Sequence, residues 1–186
     1  AVAFAASQGV RMILLGASDA ALAADLLKER QIPVIVDGVL DVPGREDEPY
    51  DAAYTIAARL KKAGVTFCIS SGGGGFGASN TRNLPYHAGM AAAFGLAKDD
   101  AVRAITLEPA RILGVDAHLG SIDTGKSASL ILTDGDPLEM GTKLIAEWID
   151  GRPVALSDNR HERLYRKYAA RPKAHSPASM AKDAVP

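Results

Sequence analysis

Short apolar runs alternate with amphipathic stretches through the first half of the chain. Three runs have the length and β-branched content of buried strands: RMILLG, IPVIVDGV and VTFCIS. Between them, residues 18–31 and 51–63 carry apolar residues at helical spacing. Strands that alternate with helices in this way pair in parallel through crossover connections, so the pattern predicts an α/β fold. Continuous rather than alternating apolar runs agree, because parallel strands are buried on both faces.

The pattern changes in the second half of the chain. Residues 84–96 predict a helix with Pro85 in its first turn, and residues 98–115 predict a helix that breaks at Pro109. Three short strands separated by turn signals then follow: LGSID, SASLILTDG and LIAEWIDGRPV. We therefore divide the chain into strand–helix units, a β unit, and a basic helix with a disordered tail: residues 1–117, 118–156 and 157–186.

Composition and charge narrow the range of partners. The chain has 186 residues, of which 47% are hydrophobic, and a formal net charge of −1, so it has no electrostatic reason to bind nucleic acid. No apolar run approaches the roughly 20 residues that cross a bilayer, and we expect no membrane contact. The single cysteine, Cys68, lies in an apolar run and is expected to be a small buried side chain rather than a reactive thiol. The sequence begins without Met, and we expect it to start inside a longer protein.

The glycine-rich segment after VTFCIS raises a separate question. Gly72, Gly74 and Gly77 satisfy the spacing G-x-G-x-x-G of a dinucleotide-binding loop. That motif opens a helix after the first strand of its unit, whereas here the following residues are a poor helix start and the strand is at least the third. We favour a different active-site rim, where glycines let the backbone approach a ligand. A flexible surface loop without a ligand remains the alternative.

Several longer stretches are specific enough to suggest a family. They are GVTFCISSGG, NLPYHAGM, AITLEPARILG, LGSIDTGKSASLILTDGDPLE and IDGRPV. Together they resemble the C-terminal half of the amidohydrolase superfamily, in particular its imidazolonepropionase-like branch. The resemblance implies the C-terminal part of a (β/α)8 TIM barrel, with strands six to eight and their helices in residues 1–117. It also implies that residues 118–156 supply strands of a composite β-sandwich.

The resemblance implies metal-dependent chemistry that this chain does not fully match. Family members hydrolyse carbon–nitrogen and related bonds of small, often cyclic substrates with one or two divalent metals, which activate water and polarise the scissile carbonyl. An Asp is expected at the end of strand eight and a His at the end of strand six. Those positions hold Gly72, preceded by Ser71, and Leu15. We therefore expect a departed metal site, with catalytic residues unknown and a divalent metal, zinc first, present only in a longer chain.

Six polar residues near the predicted strand ends are candidates for contact with a small-molecule substrate: Asp37, Asp41, Ser70, Ser71, Asn80 and Arg82. The carboxylates follow strand seven, the hydroxyls end strand eight, and the amide and guanidinium could hold an anionic group. Each could equally serve only to fix its loop.

Three further features have a simpler interpretation. His87, one turn into the helix after the glycines, is a weak candidate for a metal ligand, with packing as the alternative. Ser18 or Asp19 is expected to cap the helix that follows strand six, with a ligand role for Asp19 as the weaker alternative. The acidic loop REDEP and the basic stretch RLYRKY are expected to be solvated charge.

Two functions of different class are compatible with these features. One is a hydrolase of non-peptide carbon–nitrogen bonds, and the other is a non-catalytic homologue that binds a small molecule or acts as a scaffold. This chain alone is expected to be inactive, because it holds less than half a barrel and leaves strand edges unpaired. Expected partners are the substrate and the remainder of the same chain, with a second copy of the chain as an open alternative. The resemblance makes a periplasmic location an option, and the sequence leaves the compartment open.

Overall fold

The structure is a computed structural model that describes residues 1–16, 18–156 and 160–169. The predicted tail after residue 169 lies outside the described residues. The α-helices within them are α1 (Val2–Ser7), α2 (Ala24–Glu29), α3 (Ala52–Ala63), α4 (Gly74–Ser79), α5 (Leu84–Ala93), α6 (Lys98–Ile105), α7 (Leu107–Leu113) and α8 (Arg160–Ala169). The strands are β1 (Leu14–Gly16), β2 (Val34–Val36), β3 (Phe67–Ile69), β4 (Leu130–Thr133), β5 (Leu144–Ile149) and β6 (Arg152–Pro153). Two 3-10 turns occupy Ala20–Ala23 and Thr81–Asn83.

A parallel sheet lies in the first half of the chain. Its strand order is β1-β2-β3, and Leu15, Ile35 and Cys68 stand in one row across the three strands. Helix α2 lies between β1 and β2 in sequence, and α3 lies between β2 and β3. The predicted α/β class is therefore confirmed, and all three carboxyl ends point to the same edge of the sheet.

The two faces of this sheet differ in burial. Val34 and Val36 of β2 are fully buried and form one hydrophobic core with Ile56 and Leu60 of α3. Each such side chain removed from water contributes about 1.5–3 kcal/mol of stabilisation. Leu15 lies in the next register row and is 65% exposed. Helices thus cover one face of the sheet, while the opposite face is open at β1.

The predicted helix ends are partly right. Helix α3 stops at Gly64, whose φ of 75° is left-handed, as its position after the last apolar residue predicts. The break within residues 98–115 falls at Thr106, with φ −128° and ψ −80°, and not at Pro109. Pro109 lies in the first turn of α7, where its missing N–H needs no acceptor, so it starts a helix instead of ending one.

The second sheet is antiparallel, with order β4-β5-β6. The β5–β6 turn is Asp150–Gly151, both at positive φ, as the Asp-Gly pair in the sequence predicts. The predicted strand LGSID is wrong, because these residues form a bend followed by irregular backbone. Gly120 lies so close to the α6–α7 junction that a Cβ there would be 2.9 Å from the Thr106 carbonyl oxygen.

Two contacts join the segment between β4 and β5 to the helices of the parallel sheet. Leu138 is buried, and its carbonyl oxygen faces Gly89 of α5 so closely that a Cβ at position 89 would lie 2.7 Å away. Lys98 of α6 pairs with Asp136 at 2.6 Å and with Glu139 at 3.2 Å. Gly89 therefore permits the Leu138 backbone to approach α5 closely, and ion pairs from Lys98 lie on either side of Leu138 in sequence.

We predict that Gly89→Ala destabilises the full-length protein. Alanine is about 1 kcal/mol better than glycine in a helix interior, so propensity alone would stabilise α5. The clash with the Leu138 carbonyl should reverse that sign and cost about 1–3 kcal/mol. Denaturant midpoints measure the change. Gly141→Ala is the matched control, because a Cβ at position 141 meets nothing within 4 Å. A Gly89→Ala variant as stable as the parent would show that this approach is not tight.

Candidate functional site

Strands β1 and β2 end at a cleft of about 530 Å³. Residues 37–51 after β2 form one wall, and Ala52 and Ile56 of α3 line another. The charged side chains of its lining are Asp19, Asp37, Asp41, Arg45, Asp47, Glu48 and Arg59. The carboxyl edge of parallel strands is where α/β proteins place their ligands, so this cleft is the candidate functional site.

Asp37 and Asp41 are brought together by a tight turn at Gly38. Gly38 has a φ of 71°, and its N–H donates to Asp37 Oδ1 at 3.0 Å. The Asp41 N–H donates to the Gly38 carbonyl oxygen at 2.8 Å, and a Cβ at position 38 would overlap Asp41 Oδ2. Only glycine fits there, because both the backbone angle and the space exclude a side chain. The two carboxylates therefore share one wall of the cleft.

Position 72, at the end of β3, lies beside Asp37. The Ser70 N–H continues the ladder to the Val36 carbonyl oxygen at 2.8 Å, and Ser70 Oγ accepts from the Gly72 N–H at 3.1 Å. Gly72 has a φ of 94°, and Asp37 Oδ1 is 3.4 Å from where its Cβ would be. Two positions 35 residues apart in sequence thus meet at the strand ends.

The glycine-rich segment folds differently from the expectation. Gly74–Ser79 forms the six-residue helix α4, so the segment is not an irregular loop, and this helix begins before Gly77 and not after it. Gly77 packs on Gly72 so closely that a Cβ at position 77 would lie 2.7 Å from the Gly72 carbonyl carbon, and this contact turns the segment back on itself. Ser79 Oγ holds the turn by donating to the Gly75 carbonyl oxygen at 2.8 Å.

The remaining predicted contact residues lie apart from the cleft. Asn80 ends α4, and Arg82 is exposed in the 3-10 turn that follows. Ser70 and Ser71 are half-buried at the end of β3. Of the six predicted contact residues, only Asp37 and Asp41 line the cleft.

His87 of α5 lies within electrostatic range of both carboxylates. Its Nδ1 atom is shut off from solvent and has no hydrogen-bond partner within the described residues. Burial lowers the pKa of His87, while the negative charges of Asp37 and Asp41 act in the opposite direction. The imidazole is therefore neutral at pH 7 and able to accept a proton. Sequence spacing carries no signal for this neighbourhood, because three separate elements supply it.

Arg45 joins the loop after β1 to the loop after β2 through ion pairs at the border of the cleft. It donates to both carboxylate oxygens of Asp19, at 3.0 and 3.3 Å, and pairs with Glu48 at 3.0 Å and Asp47 at 3.4 Å. This contact lowers the pKa of Asp19. Asp19 occupies the predicted N-cap position, before the 3-10 turn Ala20–Ala23, but its side chain makes no capping hydrogen bond and binds Arg45 instead. The acidic loop is therefore more than solvated charge. Two charge-assisted hydrogen bonds from a guanidinium to the Asp19 carboxylate are stronger than the single bond that a backbone N–H at the helix start would donate.

The metal ligands implied by the family do not fit this chain. Leu15 and Gly72 offer no donor atom, and within residues 1–16, 18–156 and 160–169 no three His, Cys, Asp or Glu side chains converge as a metal site. Cys68 is buried as expected, and burial raises the pKa of its thiol to about 11, with a smaller contribution from Glu108. None of the described helices is long and apolar enough to cross a bilayer.

The sequence model of the Amidohydrolase family matches residues 8–160 of this chain. The chain therefore belongs to the amidohydrolase family. Amidohydrolase tasK of Hapsidospora irregularis is 37% identical over 79 residues, which are 40% of this chain and 7% of that protein.

Solved structures support the same fold. An amidohydrolase from Thermotoga maritima superposes with a TM-score of 0.73 and 27% identity, over 83% of this chain and 39% of its own. An adenosine deaminase from Xanthomonas campestris with bound zinc has a TM-score of 0.58 and 21% identity, over 90% of this chain and 44% of its own. That second likeness concerns the fold alone. This chain thus spans about two fifths of the length of these structures.

We predict that Asp19→Asn opens the loop of residues 42–49 to proteolysis. The substitution removes the negative charge that holds Arg45 from the β1 side, a charge that is present at neutral pH. Trypsin cleavage after Arg45, followed by mass spectrometry of the full-length protein, should become several-fold faster. Asp25→Asn is the control, since Asp25 is exposed on α2. Equal cleavage rates in both variants would show that the Arg45–Asp19 ion pair does not order the loop.

Proposed function

We propose that this chain is part of a hydrolase that cleaves a non-peptide carbon–nitrogen bond in a small, often cyclic substrate, within the imidazolonepropionase-like branch of the amidohydrolase superfamily. The observation that carries the proposal is a cleft with two carboxylates, Asp37 and Asp41, at the carboxyl edge of the parallel sheet of a family member. Within the described residues, neither carboxylate has a Lys or Arg at ion-pair distance, so both remain available to a substrate.

The barrel interpretation is part of this proposal. Strands β1 to β3 would be strands six to eight of a (β/α)8 TIM barrel, and the open sheet face at Leu15 would be covered by the remainder of the chain. The likeness to the T. maritima amidohydrolase, over 39% of that chain, is consistent with such a part. The second sheet would join a composite sandwich, since Ile131, Ile145 and Ile149 are each more than half exposed.

The proposal assigns no step to a metal held by this chain. A divalent ion, zinc first, would be bound by residues elsewhere in the full-length protein, where it would polarise the scissile carbonyl. The described residues would contribute substrate contacts from Asp37 and Asp41. Because Leu15 and Gly72 cannot act as ligands, fewer ions should be held than in a complete two-metal site.

We predict at most one tightly bound divalent ion per full-length chain, measured by elemental analysis after dialysis. The same preparation should hydrolyse members of a panel of lactams, cyclic imides and N-acylated amines, with products followed by mass spectrometry. Two ions per chain near full occupancy would contradict the departed metal site. Failure to hydrolyse any member of the panel would overturn the proposed hydrolase function and favour the alternative, a non-catalytic protein that binds a small molecule.

A second prediction tests the place of Leu15. If Leu15 occupies the position of a strand-six ligand, Leu15→His should raise the amount of zinc that the full-length protein retains after dialysis. Imidazole nitrogen is a preferred zinc ligand, and the side chain at position 15 lies on the open face of the sheet. Leu26→His is the matched control, because Leu26 is 41% exposed on α2, away from the strand ends. Equal zinc retention by both variants would show that Leu15 is not at a ligand position.

A further inference from the structure

Position 72 carries no carboxylate, but the carboxylate of Asp37 lies beside it. Asp37 Oδ1 lies 3.4 Å from where a Gly72 Cβ would be. A longer acidic side chain at position 72 would therefore extend into the space beside Asp37. Two carboxylates that close repel each other, and one would have to take up a proton. Gly72 thus leaves room, and a favourable charge environment, for a single carboxylate contributed by β2 instead of β3.

Asp37 is held in this place by its own turn. Its Oδ1 accepts the Gly38 N–H at 3.0 Å, which the left-handed backbone of Gly38 makes available. Within the described residues, its second oxygen, Oδ2, has no hydrogen-bond partner. Asp37 is half-buried and lines the cleft. One oxygen therefore fixes the carboxylate and the other is available for a proton.

His87 lies within electrostatic range of this carboxylate and reports on its charge. Helix α5 packs against β3, and the buried Nδ1 atom of His87 has no partner within the part of the chain that the structure describes. An unsatisfied buried polar atom costs about 1–3 kcal/mol, so its retention calls for an explanation. The charged groups that act on the imidazole are Asp37 and Asp41, both from the segment after β2.

We propose that Asp37 is the catalytic proton acceptor of this protein, in place of the carboxylate absent at position 72. This inference rests on the proposed hydrolase function. It assigns the role to a residue from a different strand than the family resemblance implies.

The proposed step needs only water and the substrate. Asp37 Oδ2 takes a proton from a water molecule while the water oxygen forms a bond to the carbonyl carbon of the substrate. When the carbon–nitrogen bond breaks, its electron pair goes to the nitrogen, which takes the proton back from Asp37. One water molecule is added across the bond, and Asp37 ends as a carboxylate.

The first test is Asp37→Asn in the full-length protein. Asparagine keeps the oxygen that accepts the Gly38 N–H and loses only the basic group, so the fold should be retained. We expect kcat on the hydrolysed panel substrate to fall about a hundredfold or more, with KM changed little and the acidic limb of the pH profile removed. Asp25→Asn, on the exposed face of α2, should leave kcat and the pH profile unchanged.

The second test does not depend on turnover. With labelled histidine, the His87 imidazole can be titrated by NMR and identified through a His87→Gln variant. Asp37→Asn should lower the pKa of His87 further, because the carboxylate charge that raises it is gone. Asp25→Asn should leave the His87 pKa where it is in the parent protein.

The outcomes separate the inference from the proposed function. A parent protein that hydrolyses nothing on the panel overturns the proposed function. A parent that hydrolyses a substrate, together with an Asp37→Asn variant that keeps kcat, overturns the assignment of Asp37. A His87 pKa that does not respond to Asp37→Asn contradicts a charged Asp37 carboxylate at this place in the folded protein, whether or not the protein is active.

Discussion

The parallel pairing of three short strands is the constraint on which the rest of the structure depends. Each strand contributes only three paired residues, and the register aligns Leu15, Ile35 and Cys68. Burial of Val34 and Val36 against α3 holds this register, because a shift by one residue would turn both side chains toward the open face. With the register set, the three chain segments that leave the sheet emerge at one edge.

The candidate site is built by glycines as much as by charged groups. Gly38 and Gly72 both have positive φ; the Asp41 carboxylate lies where a side chain at position 38 would be, and the Asp37 carboxylate lies beside position 72. Gly77, within α4, packs closely on Gly72. Of the three glycines whose spacing suggests a dinucleotide loop, these two therefore serve close backbone packing at the strand end.

Local signals predicted much of the framework. The apolar runs located the three parallel strands, Gly64 marked the end of α3, and the pair Asp150–Gly151 marked the turn between β5 and β6. Each depends on neighbouring residues only. The errors arose where distant contacts compete with local preference: Asp19 binds Arg45 instead of capping a helix, and the α6–α7 break lies at Thr106.

The sequence by itself determined the class of fold and the family, because both depend on apolar periodicity and on long specific stretches that need no contact map. It also led to the prediction that Gly72 and Leu15 stand where the family resemblance implies metal ligands. Only the tertiary structure decided which polar residues meet. Asp37, Gly72 and His87 come from a strand end, a loop and a helix, and their proximity results from the parallel pairing that brings chain segments 15 to 50 residues apart to one edge. Local propensity depends on neighbouring residues and carries no information on contacts between distant segments. The sequence could therefore nominate single residues of the cleft but not their arrangement.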